Sequence, residues 1–186
     1  MDDWFYKDKK NLGLEFPNIP YLIHGENKLT ETIAIHHYIA EVWDQSLLGK
    51  TVQDKAKVAM LASIHHEFRW KVVRLCYSKD ADREKTIEEY KKKLPEIVAY
   101  IGKNDFLIGD YPTYIDFYFF ETIQLLAMIS NGAVLEEHKA LVTYCNNFKQ
   151  LKGVKDYLED PFCREVPLWL NSYVFPKIIN GKRDFK

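Results

Sequence analysis

The residues of this chain whose types and spacing could do chemistry fall in two places. Near the start, Asn18-Ile19-Pro20 leads into a short apolar run, and Glu31-Thr32 opens an amphipathic helix soon after. A helix N-terminus favours an anion, and a carboxylate accepts hydrogen bonds from an ammonium group. The same pair also reads as an ordinary helix start, with Thr30 or Thr32 as its cap. Further on, His66, Trp70, Val73 and Tyr77 recur at helical spacing and form one stripe of a long helix, with Arg69 beside it. A tyrosine and an arginine so placed could line a pocket, or could be a packing ring and a solvated cation. The adjacent pairs His36-His37 and His65-His66 point about a quarter-turn or more apart and cannot converge on one ion alone, so no metal is expected. Cys76 lies on the apolar side of its helix with no basic partner to lower its pKa, which favours packing over nucleophilic chemistry.

The elements that position these groups follow from the pattern. Two prolines, Pro17 and Pro20, bracket Asn18-Ile19, and Tyr21 to His24 is a β-prone run that ends at Gly25. A helix is expected from Thr32 to about Trp43, with Ile35, Ile39 and Val42 at helical spacing. Asp44 to Thr51 reads as a polar connector containing Gly49, and a linker is placed at residues 45–51. Val52 to Tyr77 reads as one long helix whose buried stripe is expected to be Val52, Ala56, Ala59 or Met60, Ser63 or Ile64, Phe68 and Val72. Ser78 to Arg83 interrupts it. Glu84 to Ile101 is a further helix with Ile87, Tyr90, Leu94, Ile97 and Ile101 inward, kinked or restarted by Pro95. Thr113-Tyr114-Ile115-Asp116 has capping-box form and opens a helix to about Met128. Two more helices are expected near Glu137 to Phe148 and Gly153 to Glu159, followed by a Pro-containing tail.

With 186 residues and 47% hydrophobic content, the chain can bury one good core, or carry a small domain on a larger one. A net charge of -1 gives no reason to expect nucleic acid as a partner. Cys76, Cys145 and Cys163 are widely spaced and odd in number, which argues against a disulfide framework or zinc cluster and for a cytoplasmic or other reducing compartment. The most apolar stretch, Phe117 to Ile129, is interrupted by Glu121 and Gln124 and is too short to span a bilayer. The acidic Met1-Asp2-Asp3 start resembles neither a secretory signal nor an Arg-rich transit peptide, a test to which internal organelle targeting would be invisible.

The phrase Leu12-Gly13-Leu14-Glu15-Phe16-Pro17-Asn18-Ile19-Pro20-Tyr21-Leu22-Ile23-His24-Gly25, followed by Glu31-Thr32 and Ala34-Ile35 to Ala40, resembles the glutathione-binding domain of mu-class glutathione S-transferases. The resemblance continues more weakly to the C-terminus. It implies a mostly helical protein: a truncated thioredoxin-like α/β part over residues 1–44, then an all-helical C-terminal domain over 52–186. It also implies glutathione as substrate or ligand and no separate cofactor. In the family, residues matching Asn18, Ile19 and a cis Pro20 present backbone groups to the cysteinyl unit of glutathione. Those matching Glu31 and Thr32 take the γ-glutamyl ammonium and carboxylate. Lys9, and Trp4 one position out of register, match the residues that hold the glycyl end; an apolar anchor is the other reading of Trp4. Glu67 matches an acid that reaches the partner subunit's glutathione. Arg69, flanked by His66 and Trp70, matches the electrophile pocket, and Tyr77 a tyrosine that protonates the developing alkoxide or enolate.

Three departures bear on function. Family members begin with a strand, helix and strand whose first strand ends at the tyrosine that stabilises the glutathione thiolate, and no match to these precedes Leu12. Tyr6 lies in the wrong segment. The edge of Tyr21-His24 is therefore expected to need cover from the N-terminal dozen residues, from a segment outside this sequence, or from a partner chain. Thirdly, the charged cluster of the family dimer is replaced on both sides, by His37 and Glu41 and by Ala59 and Ala62, while Phe16 still matches the aromatic plug. A homodimer and a different protein partner are both open. Two functions follow: a mu-like glutathione S-transferase with impaired or lost conjugating activity in the chain as given, or a non-catalytic subunit of a larger assembly built on the same fold.

Overall fold

The computed structural model describes residues 3–78 and 82–160, together with two short paired strands, Ile178–Ile179 and Lys182–Arg183. The expected Pro-containing tail lies outside the described residues, as does part of the interruption after Tyr77. The chain forms two compact units, Met1–Val58 and Ala59–Lys186.

In the first unit a π-helical turn, Trp4–Asp8, runs into α1, Lys9–Asn11. The β-prone run forms β1, Tyr21–His24, and pairs antiparallel with β2, Asn27–Thr30, with Tyr21 opposite Thr30 and His24 opposite Asn27. Gly25 takes the first place of the two-residue turn at φ +60°, where a tight hairpin favours glycine. Helix α2 runs over Thr32–Trp43, as its periodicity predicts. The stretch read as a linker contains a 3₁₀ turn, Gln45–Leu48, whose leading Ser46 amide donates to Asp44 Oδ1 at 3.0 Å. Gly49 cannot be replaced freely. Its φ is +106°, and a Cβ there would lie 2.9 Å from both the Asp54 Cβ and the Lys55 amide nitrogen. Thr51 and Asp54 then cap α3, Val52–Tyr77, reciprocally: Asp54 N donates to Thr51 Oγ1 at 3.0 Å and Thr51 N to Asp54 Oδ2 at 3.2 Å.

The second unit is helical. To the remainder of α3 it adds α4, Arg83–Ile101; α5, Tyr114–Ile129; α6, Ala133–Glu136; α7, Lys139–Gln150; and α8, Lys152–Glu159. Helix α4 continues through Pro95 as a single element. Helix α5 is buried nearly all round, which is why its sequence shows an apolar run where the surface helices show a narrow stripe. Ring pairs fill the space about it: Phe119 against Tyr144 at 5.4 Å between centroids, Phe120 stacked on Phe148 at 4.5 Å, and Phe68 edge-on to Tyr90 at 4.8 Å.

The buried face of α3 differs from expectation. Val52, Met60 and Ile64 are exposed, as are Ala56, Ala59 and Ser63, while Leu61, Ala62, His65, Phe68, Arg69, Val72 and Leu75 are buried. Only Phe68 and Val72 of the expected stripe face inward. The helix carries two apolar stripes, and the one holding polar His65 and Arg69 can be buried because α5 supplies their partners, as described below.

Helices α3 and α4 are tied by Tyr90. Its hydroxyl donates to the Phe68 carbonyl and accepts from the Val72 amide at 3.0 Å, entering between a donor and acceptor four residues apart on α3. Burial raises the Tyr90 pKa above the usual phenol range, so the hydroxyl stays a donor at any physiological pH. Replacing Tyr90 with Phe removes this tie but lets the Val72 amide close directly on Phe68. The expected loss is therefore only about 1 kcal/mol, read from urea unfolding.

Candidate functional site

Asn18, Ile19 and Pro20 form a turn with a cis Ile19–Pro20 bond, and the Ile19 amide donates to Asn18 Oδ1 at 2.9 Å. The Asn18 amide group donates in turn to Glu31 Oε1 at 3.3 Å, joining this turn to the N-terminus of α2 across thirteen residues. Glu31 is held at φ +71°, ψ +117°, a region that side-chain-bearing residues rarely occupy. Its side chain makes no capping bond to α2. The leading amides of the helix and the second carboxylate oxygen of Glu31 thus stay available to a ligand carrying both an anion and a cation. Asn18 and Glu31 are both exposed.

Trp4 and Lys9 stand on the N-terminal helical segment. Trp4 stacks on Tyr21, with ring centroids 5.7 Å apart and planes 13° from parallel, so it reaches the strand that follows Pro20. Lys9 holds its ammonium over the Phe5 ring, 5.8 Å from the centroid. A second lysine, Lys28, had no role in the sequence reading. Its Nζ donates to the Leu12 carbonyl at 2.7 Å, which fixes the start of the Leu12–Tyr21 loop against β2, and it lies 2.9 Å from where a Cβ on Gly13 would project. Phe16 on that loop is 77% exposed.

On α3 the structure separates residues that the sequence grouped. His66 and Trp70 are exposed, one turn apart. Arg69 is buried: one of its nitrogens donates to Thr122 Oγ1 at 2.9 Å, another pairs with Glu121 at 3.2 Å, and its guanidinium lies 4.7 Å from the Tyr118 ring centre. His65 Nε2 meets the same Thr122 hydroxyl at 2.9 Å. This buried polar knot was not foreseen, because a histidine and an arginine on a helix read as surface residues until a partner helix is known. The Tyr77 side chain lies outside the described residues. Glu67 is exposed and lines a cleft that also touches α4 and α5.

The T-x-x-D motif builds more than a cap. Asp116 accepts the Thr113 amide at 2.7 Å, the Thr113 hydroxyl at 2.8 Å, the Leu107 amide at 2.9 Å and the Tyr144 hydroxyl at 3.3 Å. Burial raises its pKa, and these four donors pull the other way. Nearby Cys145 is buried, and its thiol is pushed up to about 11 against the pull of Lys149 and Gln124. Native protein treated with iodoacetamide at pH 8 is expected to leave Cys145 unmodified by peptide mass, and unfolding should expose it to complete reaction.

Comparison with known proteins shows the family. The family model described as glutathione S-transferase, C-terminal domain, matches residues 66–161, just over half of the chain, and that of the N-terminal domain matches residues 1–41. Human glutathione S-transferase Mu 3 is 32% identical over 159 residues, 84% of this chain and 69% of its own length. The chain belongs to the glutathione S-transferase family. Its similarity to mu-class members extends to the class-mu 26 kDa isozyme 51 of Fasciola hepatica, 29% identical over 92% of this chain and 79% of that protein. The transferase fold recurs in the crystal structure of glutathione S-transferase Blo t 8, with a TM-score of 0.79 at 23% identity over 91% of this chain and 81% of the other. It recurs again in the pi-class enzyme of Onchocerca volvulus, with a TM-score of 0.76 at 18% identity over 90% and 80%. No described helix is long and apolar enough to cross a membrane.

Proposed function

We propose that this chain recognises glutathione through Asn18, Ile19, Pro20, Glu31 and Thr32, with Lys9 and Trp4 at the glycyl end, and that its conjugating activity is impaired in the chain as given. The observation that carries the reading is the Asn18–Glu31 hydrogen bond, which joins the proline turn to the start of α2 and leaves one Glu31 oxygen and the helix amides for the γ-glutamyl group. Glutathione's thiol is a poor nucleophile while protonated, so turnover needs a donor aimed at the sulfur. Tyr6, upstream of the turn, is 85% exposed on the N-terminal helical segment, and nothing ties its hydroxyl to the turn. An electrophile would lie along the α3 face of His66 and Trp70, with Tyr77 as proton donor and Arg69 ordering the helix behind that face through Glu121 and Thr122. Glu67 would serve the glutathione of a partner subunit.

A second reading, a non-catalytic subunit of a larger assembly, is favoured by a different observation. Among the described residues the outer edge of β1 pairs with no strand, and Phe16, Ile19 and Ile23 around it are exposed. The partner would be a second copy or a different protein covering that edge. Retention on glutathione-agarose combined with turnover of a generic aryl halide separates the two. Retention with little or no turnover supports recognition with impaired chemistry. Full turnover overturns the impairment. No retention, with migration in a large complex, favours the subunit.

A further inference from the structure

Helix α5 ends in a tight cap built on an Asn-Gly pair. The Asn131 amide donates to the Met128 carbonyl at 3.3 Å and the Gly132 amide to the Ala127 carbonyl at 2.7 Å, the paired bonds of a Schellman motif. The motif needs a positive φ at the residue that leaves the helix, and Asn131 supplies it at +52°, with Gly132 following at +89°. The turn that the cap closes is buried. Leu126, Ile129 and Val134 are almost wholly inaccessible, and Arg83, from the start of α4, donates to the Ile129 carbonyl at 2.6 Å.

Asparagine is a thermolabile residue, and most so before glycine. The glycine amide nitrogen, once it has lost its proton, attacks the asparagine side-chain carbonyl carbon. The new C–N bond closes a five-membered imide while the bond to the side-chain nitrogen breaks and ammonia leaves with the proton. Water then opens the imide at either carbonyl, giving aspartate or isoaspartate, so one water is consumed and one ammonia released. At Gly132 no side chain obstructs closure: apart from its chain neighbours, a Cβ there would meet nothing nearer than Glu136 Oε1 at 3.9 Å. Asn131 is exposed to water, and among the described residues no other asparagine precedes a glycine. The cap holds the reaction back. The proton that must leave the Gly132 nitrogen is bound by the Ala127 carbonyl, so closure waits until the last turn of α5 opens.

We propose that Asn131 is a site of spontaneous deamidation, guarded by the cap of α5 and released when that cap opens. Isoaspartate adds one backbone carbon at the capping residue, which puts Gly132 out of register with Ala127. The change is one-way and leaves a buried turn uncapped. It does not rest on glutathione recognition, since every residue involved belongs to the second unit.

The full chain, incubated at neutral pH either native or unfolded in urea, tests it. Peptide mass reads amide loss at Asn131, and enzymatic methylation detects isoaspartate. Amide loss is expected in both samples, with isoaspartate in excess over aspartate. It should be slower in the native chain by about 5- to 150-fold, because two cap hydrogen bonds must break to free the nitrogen. Reacted native protein should unfold at a lower urea concentration than fresh protein. Asn131→Gly, which suits the same positive φ, should show no mass change at this position and keep its urea midpoint over the same incubation. Equal rates in the native and unfolded chains would overturn the guarding role of the cap. Slowing beyond about a thousandfold would make Asn131 inert in the folded chain and overturn the site. An unchanged midpoint in reacted protein, or an equal fall in Asn131→Gly, would overturn the loss of the cap.

Discussion

Asp116→Ala is expected to lower the unfolding free energy by about 4 kcal/mol, the largest effect of any single truncation considered for this chain. Two buried backbone amides, of Leu107 and Thr113, lose their acceptor, and each such orphan costs about 1–3 kcal/mol. The Thr113 hydroxyl loses its partner as well, whereas Tyr144 keeps a bond to the Asp116 carbonyl at 3.1 Å and so adds little. The Leu107 loop and the start of α5 are fixed by the same carboxylate, so the helical core and the loop beneath it should loosen together. Against a typical domain stability of 5–15 kcal/mol, a loss of this size should shift the urea midpoint sharply. A change under about 1 kcal/mol would show that this account of the cap is wrong.

The same residue carries a pH dependence whose sign can be worked out. Its folded pKa is raised above the ordinary carboxylate value of about 3.9. The folded state therefore holds the proton more tightly than the unfolded chain. The contribution of this group is fullest below about pH 4 and is lost as pH rises through the raised value. Asp116→Asn should be destabilised at every pH yet lack that part of the slope.

At Glu31 stability and recognition are expected to move in opposite directions. A side chain at φ +71° strains the backbone by about 1–3 kcal/mol, and glycine adopts positive φ without a Cβ penalty, though with more entropy to lose on folding. Glu31→Gly should therefore raise the thermal midpoint, with a gain of about 1 kcal/mol. It should also lower glutathione affinity at least about tenfold, because a charge-assisted hydrogen bond to the ammonium contributes roughly 1.5–3 kcal/mol. Glu31→Gln keeps an oxygen acceptor and should hold affinity within about threefold. If Glu31→Gly leaves glutathione binding unchanged, the strained backbone has some purpose other than presenting the carboxylate.

The sequence is informative where function leaves a fixed phrase or a sharp local signal. Thr113 and Asp116 announce the start of α5, and the apolar spacing after Thr32 places α2 at its observed ends. The Leu12-to-Gly25 phrase carries the family, and with it the fold. The inward face of α3 was not legible, because Ala56, Met60 and Ile64 offer as apolar a stripe as the one that is buried. What decides between them is Thr122 and Glu121, more than fifty residues away, which satisfy His65 and Arg69. The strained backbone at Glu31 was equally hidden, since nothing in a Thr-Glu-Thr string signals a positive φ. The sequence leaves Trp4 open between an apolar anchor and a ligand contact, because the stacking partner that fixes its ring, Tyr21, lies seventeen residues away.

The central proposal is that this chain holds glutathione's γ-glutamyl and cysteinyl backbone and that, among the described residues, no hydroxyl is aimed at its sulfur. Ultraviolet thiolate absorbance of glutathione, titrated with pH in the presence of saturating protein, reads the bound thiol's pKa directly. The expected result is saturable binding with the thiol titrating in its ordinary range. A bound thiol already ionised at neutral pH would contradict the claim, as would glutathione that fails to bind.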